Sequence, residues 1–150
     1  MPYARLIGFC AGLRSLTPLA VTAWAVRLGW MSPTSVTWLG ALPSVAIFSL
    51  LAMAELIADK LPSTPSRTSP PGLIGRVATG ALSGACVASA AGGGGLAGAI
   101  AGIAGALLGC FGGYFARTGI VRAAGIPDLP VALLEDFIAI AASVWVVTHV

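Results

Sequence analysis

The sequence predicts an all-α integral membrane protein, a bundle of about five transmembrane helices with a glycine-rich central hairpin. Of its 150 residues, 57% are hydrophobic and only 9% are charged, whereas soluble domains carry about 25% charged residues. Its apolar runs are long enough to cross a bilayer, which takes about 20 helical residues. This composition excludes a soluble globular enzyme, and the length leaves room for a single transmembrane domain over residues 1–150.

The first apolar run predicts a transmembrane helix over residues 6–26, interrupted by Arg14. A signal peptide is the alternative, because residues 23–25 have the small-x-small form of a cleavage site. Arg14 divides the stretch that a signal peptide keeps apolar, which favours a retained span. Pro18 is expected to kink this helix just beyond Arg14, since proline leaves the carbonyl four residues earlier without its helical donor.

The second apolar run predicts a span over residues 36–58. Asp59, Lys60 and Pro62 follow it directly, and charge and proline together stop a helix. A polar loop with four prolines then continues to residue 72. These prolines favour an extended, stiff connection to the next span.

The third and fourth spans are predicted within residues 73–116, which are apolar apart from Arg76. This stretch is too long for one span. Four consecutive glycines occupy residues 92–95, and glycine costs a helix about 1 kcal/mol per residue. They predict a tight turn between spans over residues 73–91 and 96–116.

The last apolar run predicts a fifth span over residues 131–149. The positions of the basic residues test the number of spans, because short cytoplasmic loops carry an excess of Lys and Arg. Five spans place six basic residues on one side and only Arg27 on the other. The six are Arg5, Lys60, Arg67, Arg76, Arg117 and Arg122. A single crossing by residues 73–116 would change the split to four against three. The predicted topology has a cytoplasmic N-terminus and an outer C-terminus.

Aromatic residues agree with this topology, since Trp and Tyr concentrate at membrane interfaces. The outer interface would contain Trp30, Trp38 and Trp145, and the inner interface Tyr3 and Tyr114.

A stripe of glycines marks the fourth predicted span. The stripe consists of Gly98, Gly102, Gly105, Gly109 and Gly112, with a mean period of 3.5 residues. That period holds one seam against a partner helix, and small residues let helices approach closely in lipid. Gly80 and Gly84 on the third span are a plausible partner surface for internal packing. A homo-oligomer interface or a narrow pore is the alternative use.

The match of Gly93, Gly95 and Gly98 to a nucleotide-binding G-x-G-x-x-G motif is rejected, because no strand precedes it.

The first span carries an intramembrane arginine. Arg14 would cost about 2.5–3.5 kcal/mol at a helix centre, so it should face the bundle interior and have an acidic partner. Glu55, Glu135 and Asp136 are the candidate partners, because all three lie in the cytoplasmic half of their spans. Asp59 shares a helix face with Glu55 and is expected at the water interface.

These residues predict a polar cavity open to the cytoplasm that binds a substrate or ion. Its predicted residues are Arg14, Ser15, Thr17, Glu55, Asp59, Lys60, Glu135 and Asp136. One interpretation is a buried ion pair that only sets helix register. The other is a proton, ion or solute site, since intramembrane charge indicates function by default. Four carboxylates near one arginine exceed what an ion pair needs, which favours the second.

Catalysis, metal binding and cofactor binding have little support. His149 is the only histidine, at the chain end, and the three cysteines have no C-x-x-C spacing. Acidic oxygens bind Mg²⁺ or Ca²⁺, but Arg14 in the same place argues against a dedicated metal site. The basic residues occur singly along the chain and form no patch for nucleic acid. The sequence therefore predicts a protein that is not an enzyme and has no cofactor.

The chain resembles a family of small bacterial integral membrane proteins catalogued as a domain of unknown function. The matching segments are GLRSLTP (12–18), AELIADKLP (54–62), PSRT (65–68), PPGL (70–73), FGGY (111–114) and ALLEDFIAI (132–140). The resemblance implies the bacterial inner membrane and no particular activity. Residues 55–60 are also weakly similar to the E-x-G-D-K-[ST] motif of a cation/proton exchanger family, with E-x-x-x-D-K spacing and no glycine.

The leading hypothesis is a small multispan transporter or channel-like protein that handles a proton, ion or small charged solute. Arg14 would bind an anion or shift the pKa values of the nearby acidic residues. Glu55 and Glu135 would bind the ion or take up and release protons. Asp59 and Lys60 would line the entrance of the cavity. The alternative is a structural or assembly protein that oligomerises or docks a partner through the glycine stripe. Binding of anionic lipid head groups by the cytoplasmic basic residues is a third hypothesis.

Overall fold

The computed structural model describes residues 1–59, 69–125 and 127–150. These residues form six α-helices and one short 3-10 helix at Thr37–Gly40, with no strand among them. The helices are α1 (Pro2–Leu13), α2 (Leu16–Arg27), α3 (Leu42–Ala58), α4 (Pro70–Ala90), α5 (Gly95–Ala124) and α6 (Asp128–Thr148). The prediction of an all-α chain is confirmed for these residues.

The predicted helix over residues 6–26 is instead two helices. Helix α1 ends at Leu13, and Arg14 has an extended backbone with φ −137° and ψ 113°. Helix α2 then begins at Leu16, so Pro18 lies in its first turn, where the missing N–H of proline costs no helical bond. The expected kink beyond Arg14 was wrong. The break lies at Arg14 itself, and Pro18 helps to begin the next helix.

Helices α1 and α2 run in opposite directions and form a hairpin with its tip at Arg14 and Ser15. Met1 lies beside Gly93, in the turn between α4 and α5, and Ser35 lies beside Gly95 at the same turn. The chain therefore returns after α2 to the end at which α1 began. At ~1.5 Å per residue each of these helices is about 18 Å long, short of the roughly 30 Å of a bilayer's hydrocarbon core.

The bundle has two distinct ends. The turn end contains Met1, the α4–α5 turn at residues 91–94 and His149. Tyr3 lies there, 5.9 Å from the ring of Trp145. The expectation that Tyr3 lies at the opposite interface from Trp145 was therefore wrong. The charged end contains the hairpin tip, the end of α3 and the start of α6.

Three helices, α4, α5 and α6, are long and apolar enough to cross a membrane. Helix α3 is a shorter apolar helix of 17 residues, because the predicted second span begins as the 3-10 helix. The five predicted spans are not confirmed. Helix α5 continues past residue 116 to Ala124. Gly125 follows it with a positive φ of 61°, a left-handed conformation that favours glycine.

Helices α1, α4 and α5 pack backbone against backbone at their glycines. A Cβ atom on Gly102 would overlap the carbonyl oxygen of Gly80, and one on Gly98 would lie 2.5 Å from that of Gly84. A Cβ atom on Gly105 or Gly109 would likewise overlap the backbone of α1. The sequence did not indicate this contact with α1. A Cβ on Gly112 would meet nothing within 4 Å. Its predicted place in the packing seam was therefore wrong.

The outer surface of the bundle is apolar. Helix α3 buries only Val45 and Ala52, and its remaining large apolar side chains face outwards. Other helices do the same, and exposed examples include Leu50, Ile57, Ile74, Leu96, Leu108, Phe115, Leu133 and Phe137. Apolar exposure on this scale requires a partner or a lipid environment.

Candidate functional site

All five acidic residues of the chain lie at the charged end. Helix α3 contributes two of them from its last turn, and α6 contributes three from its first turns. They surround two arginines, Arg14 at the hairpin tip and Arg117 on α5. We call this set the charged cluster, and its members are Arg14, Glu55, Asp59, Arg117, Asp128, Glu135 and Asp136.

Arg14 is completely buried and pairs with two carboxylates. Its Nη1 donates a hydrogen bond to Oδ2 of Asp59, and its Nε lies 2.5 Å from Oδ1 of Asp136. The side chains of Asp59 and Asp136 are only 20% and 10% exposed. Asp136 was a predicted partner of Arg14. Asp59 was expected at the water interface, and the structure places it against the arginine instead.

Glu55 caps helix α2. Its Oε1 accepts hydrogen bonds from the backbone N–H and the hydroxyl of Ser15, at 2.8 and 2.6 Å, and its Oε2 accepts one from the N–H of Leu16 at 2.8 Å. The first N–H groups of a helix have no helical acceptor, and a carboxylate is favoured beside them. Glu55 therefore holds the hairpin tip in place. Of the three candidate partners of Arg14, Glu55 instead binds the backbone at the start of α2.

Arg117 forms a second ion-pair group with α6. Its Nε donates to Oδ1 of Asp128 at 2.7 Å, its Nη2 donates to the other oxygen of that carboxylate, and its Nη1 lies 3.5 Å from Oε2 of Glu135. Arg117 and Asp128 fall between the predicted spans over residues 96–116 and 131–149. Gly125 lies between them and is a residue type that commonly ends helices, which was the signal that α5 continues past Arg117 and that Asp128 can begin α6.

Two buried groups at the hairpin tip keep hydrogen-bonding capacity. Within the described residues, Nη2 of Arg14 and Oγ1 of Thr17 are buried and have no hydrogen-bond partner. The hydroxyl of Ser15 is already bound to Glu55. The tip therefore offers one donor and one hydroxyl to water or to a solute. Lys60, the last of the predicted site residues, lies outside the described residues.

An apolar groove of about 210 Å³ lies next to the charged cluster. Helices α5 and α6 form its sides, and α1 contributes Phe9 and Leu13. Arg117 and Glu135 are the charged residues in its lining. The sequence predicted a polar cavity here, and it did not anticipate a groove with mainly apolar walls.

The chemistry that the cluster can perform is limited by its composition. Among the residues that the structure describes, no group of three or more His, Cys, Asp or Glu side chains is arranged to hold a metal ion. All three cysteines are buried, and none of them forms a disulfide bond. What the arrangement offers is a set of carboxylates paired with arginines, together with one free hydroxyl, next to an apolar groove.

A comparison with protein families places these residues in context. A family model described as "Domain of unknown function (DUF4126)" matches residues 4–149. Comparisons with curated proteins and with solved structures found no match. The match covers all six helices almost completely, so the charged cluster and the hairpin lie within the shared region.

Proposed function

The chain belongs to the DUF4126 family, a domain of unknown function, and from this premise we propose that it is a small membrane transporter or channel-like protein that moves a cation. The observation that carries the proposal is the fully buried Arg14 at the tip of a short helical hairpin, with two carboxylates against it. Such a residue is costly in a membrane and marks an ion or proton pathway by default.

The apolar exterior and the length of α4, α5 and α6 support a location in the lipid bilayer. In the proposed topology, these three helices and α3 cross the inner membrane of a bacterium. The α1–α2 hairpin enters from the outer side and returns to it. Both chain ends then lie outside, whereas the five predicted spans place the N-terminus in the cytoplasm.

The distribution of basic residues supports this orientation. Arg76, Arg117 and Arg122 lie towards the charged end, while the turn end has Arg5 and Arg27. The sequence between α3 and α4 contains two further basic residues, Lys60 and Arg67. Cytoplasmic loops carry the excess of Lys and Arg. The charged cluster would therefore open to the cytoplasm.

The break in the hairpin supports a transport role. Irregular backbone at membrane depth is tolerated only where protein buries it or where it lines a water-filled cavity. Transporters build their substrate and ion sites on such interrupted helices. In this chain the interruption brings Arg14 and the unused hydroxyl of Thr17 to the charged cluster.

The acidic side chains of the cluster favour a cation. All five acidic side chains of the chain lie in the charged cluster. Carboxylate oxygens are the ligands of hard cations and the groups that take up protons.

Flux into proteoliposomes tests this proposal. Proton entry would be followed with an internal pH-sensitive dye, and uptake of Na⁺, K⁺ and organic ammonium ions with radiolabels. We expect the wild type to move at least one cation and Asp136→Asn to lose more than nine tenths of that rate. Arg122→Gln is the control, because it removes the charge of an exposed side chain outside the charged cluster.

Helical content and elution profile would show that the variants are folded, and Asp59→Asn replaces Asp136→Asn if the latter is not. Absence of flux for every cation, or equal rates in wild type and the cluster variants, would contradict the proposal. The assembly role has weaker support, because four of the five stripe glycines already contact α1 or α4 within the chain.

A further inference from the structure

Two buried polar atoms at the hairpin tip have no hydrogen-bond partner among the described residues. They are Nη2 of Arg14 and Oγ1 of Thr17. Arg14 is completely buried and Thr17 is only 5% exposed. Buried polar groups in folded proteins are almost always hydrogen-bonded, either to protein or to ordered water. The two residues lie on either side of the break between α1 and α2, so the tip is where a small hydrogen-bonding ligand would be held.

The chemistry of the two atoms selects the ligand. A guanidinium nitrogen donates hydrogen bonds and accepts none, whereas a hydroxyl group does both. A metal cation therefore gains no ligand from Nη2 of Arg14. An anion would lie beside the carboxylates of Asp59 and Asp136, which already pair with that arginine. Water can accept a hydrogen bond from Nη2 and donate one to Oγ1 of Thr17, and buried waters bind to groups of this kind.

Carboxylates that can take up a proton lie against the same guanidinium group. Nη1 of Arg14 donates to Asp59, and Nε lies 2.5 Å from Oδ1 of Asp136. Nη2 belongs to the same planar group, so a water bound to it lies close to both carboxylates. A proton on one carboxylate leaves the other as the counter-charge of Arg14. The further charged side chains around the two aspartates, within the described part of the chain, are Glu55 on α3, Arg117 on α5 and Glu135 on α6.

The surroundings of the tip decide from which end protons arrive. The side chains of Asp59 and Asp136 are 20% and 10% exposed at the charged end. Towards the turn end, buried apolar side chains fill the interior, among them Ile7, Leu19 and Val147. An apolar core of this kind excludes water. In this conformation the tip therefore exchanges protons with the charged end.

We propose that Nη2 of Arg14 and Oγ1 of Thr17 hold an ordered water that passes protons to the carboxylates beside Arg14, and that the cation moved is the proton. The inference rests on the proposed function and deepens it, because it names the cation. The water gives a proton to a carboxylate oxygen of Asp59 or Asp136 and takes one from the next water towards the charged end. One O–H bond thus breaks for each that forms.

Nuclear Overhauser effects between methyl groups and water test the binding of water. The full chain would carry methyl-labelled threonine and be placed in nanodiscs of deuterated phosphatidylcholine. We expect a cross-peak between water and the methyl group of Thr17, assigned by its loss in Thr17→Val. Thr22 is the matched control, because it is buried on the same helix and its hydroxyl already donates to the carbonyl of Pro18 at 2.7 Å. We expect no such cross-peak for Thr22.

Proton flux into proteoliposomes tests the passage of protons. A potassium diffusion potential would drive the flux, and an internal pH-sensitive dye would report it. We expect Thr17→Val to lower the rate at least fivefold, because valine keeps the shape of threonine without the hydroxyl. Thr17→Ser should rescue most of the rate, and Thr22→Val should behave as the wild type does.

Absence of the water cross-peak at Thr17, or a proton flux that Thr17→Val leaves unchanged, would overturn the inference. The cross-peak in the wild type decides the binding of water even if Thr17→Val fails to fold. Flux of Na⁺ or K⁺ without protons would leave the proposed function in place and remove the proton as its cation. Absence of flux for every cation would contradict the proposed function and the passage of protons, while a cross-peak at Thr17 would still establish the water site.

Discussion

At the scale of single residues, Arg14 and Glu55 have different tasks. Arg14 is a buried charge that two carboxylates balance, whereas Glu55 supplies acceptors to the first N–H groups of α2. Removing one member of a buried ion pair is costly because its partners remain buried and unbalanced. Removing a helix cap costs less, because water can reach part of the exposed backbone. Substitution of Arg14 should therefore lower the free energy of unfolding more than substitution of Glu55.

Arg14→Gln is expected to lower the free energy of unfolding by about 3–5 kcal/mol, because Asp59 and Asp136 lose their counter-charge. Chemical unfolding in detergent would measure it, with Arg122→Gln on the exposed end of α5 as a control of little effect. The double variant Arg14→Gln with Asp136→Asn should be less destabilised than the sum of the single variants. Simple additivity would mean that the two side chains do not interact.

Glu55→Gln is expected to lower the free energy of unfolding by about 0.5–2 kcal/mol, the usual cost of losing a helix cap. The neutral amide keeps one oxygen for the N–H groups of Ser15 and Leu16 and turns a donor towards the other. Hydrogen exchange of these two amides should accelerate, and Ser15→Ala should have a smaller effect because it removes only the hydroxyl bond. Unchanged exchange in Glu55→Gln would contradict the capping role.

At the scale of helices, α1, α4 and α5 form a unit that only small residues permit. The glycines of α5 contact backbone on two sides, that of α4 and that of α1. In lipid, helix association relies on such close van der Waals contact rather than on expulsion of water. The fold should therefore respond sharply to added methyl groups on the contacting side of α5 and hardly at all on its open side.

Gly102→Ala is expected to destabilise the fold by about 1–3 kcal/mol, because its methyl group overlaps the backbone of Gly80 and the helices must separate. Gly112→Ala is the matched control, with open space at the same kind of helical position. It should be neutral or stabilising by up to about 1 kcal/mol, the helix preference of alanine over glycine. Thermal unfolding of both variants would measure the difference, and equal melting temperatures would refute the contact.

At the scale of the whole molecule, the direction of α1 decides the topology. Met1 and Ser35 lie at the same turn, and α6 brings Trp145 to Tyr3 at that end. The N-terminus, the loop after α2 and the C-terminus therefore share one end of the bundle. In the proposed topology this arrangement gives an even number of crossings, with the hairpin inserted between helices and not crossing.

Epitope tags placed before Met1 and after Val150 are expected to lie on the same, outer side. Protease added to intact spheroplasts of an expressing bacterium should remove both tags and leave a tag inserted in the loop between α3 and α4 intact. Digestion of that inserted tag after the cells are lysed controls for its accessibility. Removal of only one terminal tag from intact spheroplasts would restore the odd number of spans and contradict the hairpin.

Much of the fold was predictable from local sequence features. Apolar runs indicated the helices, the glycines at residues 92–95 indicated the turn between α4 and α5, and Asp59 marked the end of α3. The site was predictable in part, since a buried Arg14 has to find carboxylates, and few are available in the chain. These inferences depend on properties that each segment carries by itself.

What the sequence alone determined is thus the helical class, the apolar exterior and the need to balance one buried arginine. The tertiary structure alone decided that the first apolar run is a hairpin, that Asp59 and Asp136 pair with Arg14, and that an apolar groove lies next to them. The physical reason is that the break between α1 and α2 depends on Glu55. The carboxylate of Glu55 accepts hydrogen bonds from the N–H groups of Ser15 and Leu16, which lie about 40 residues earlier in the chain. No local pattern contains a hydrogen bond between residues so far apart along the chain.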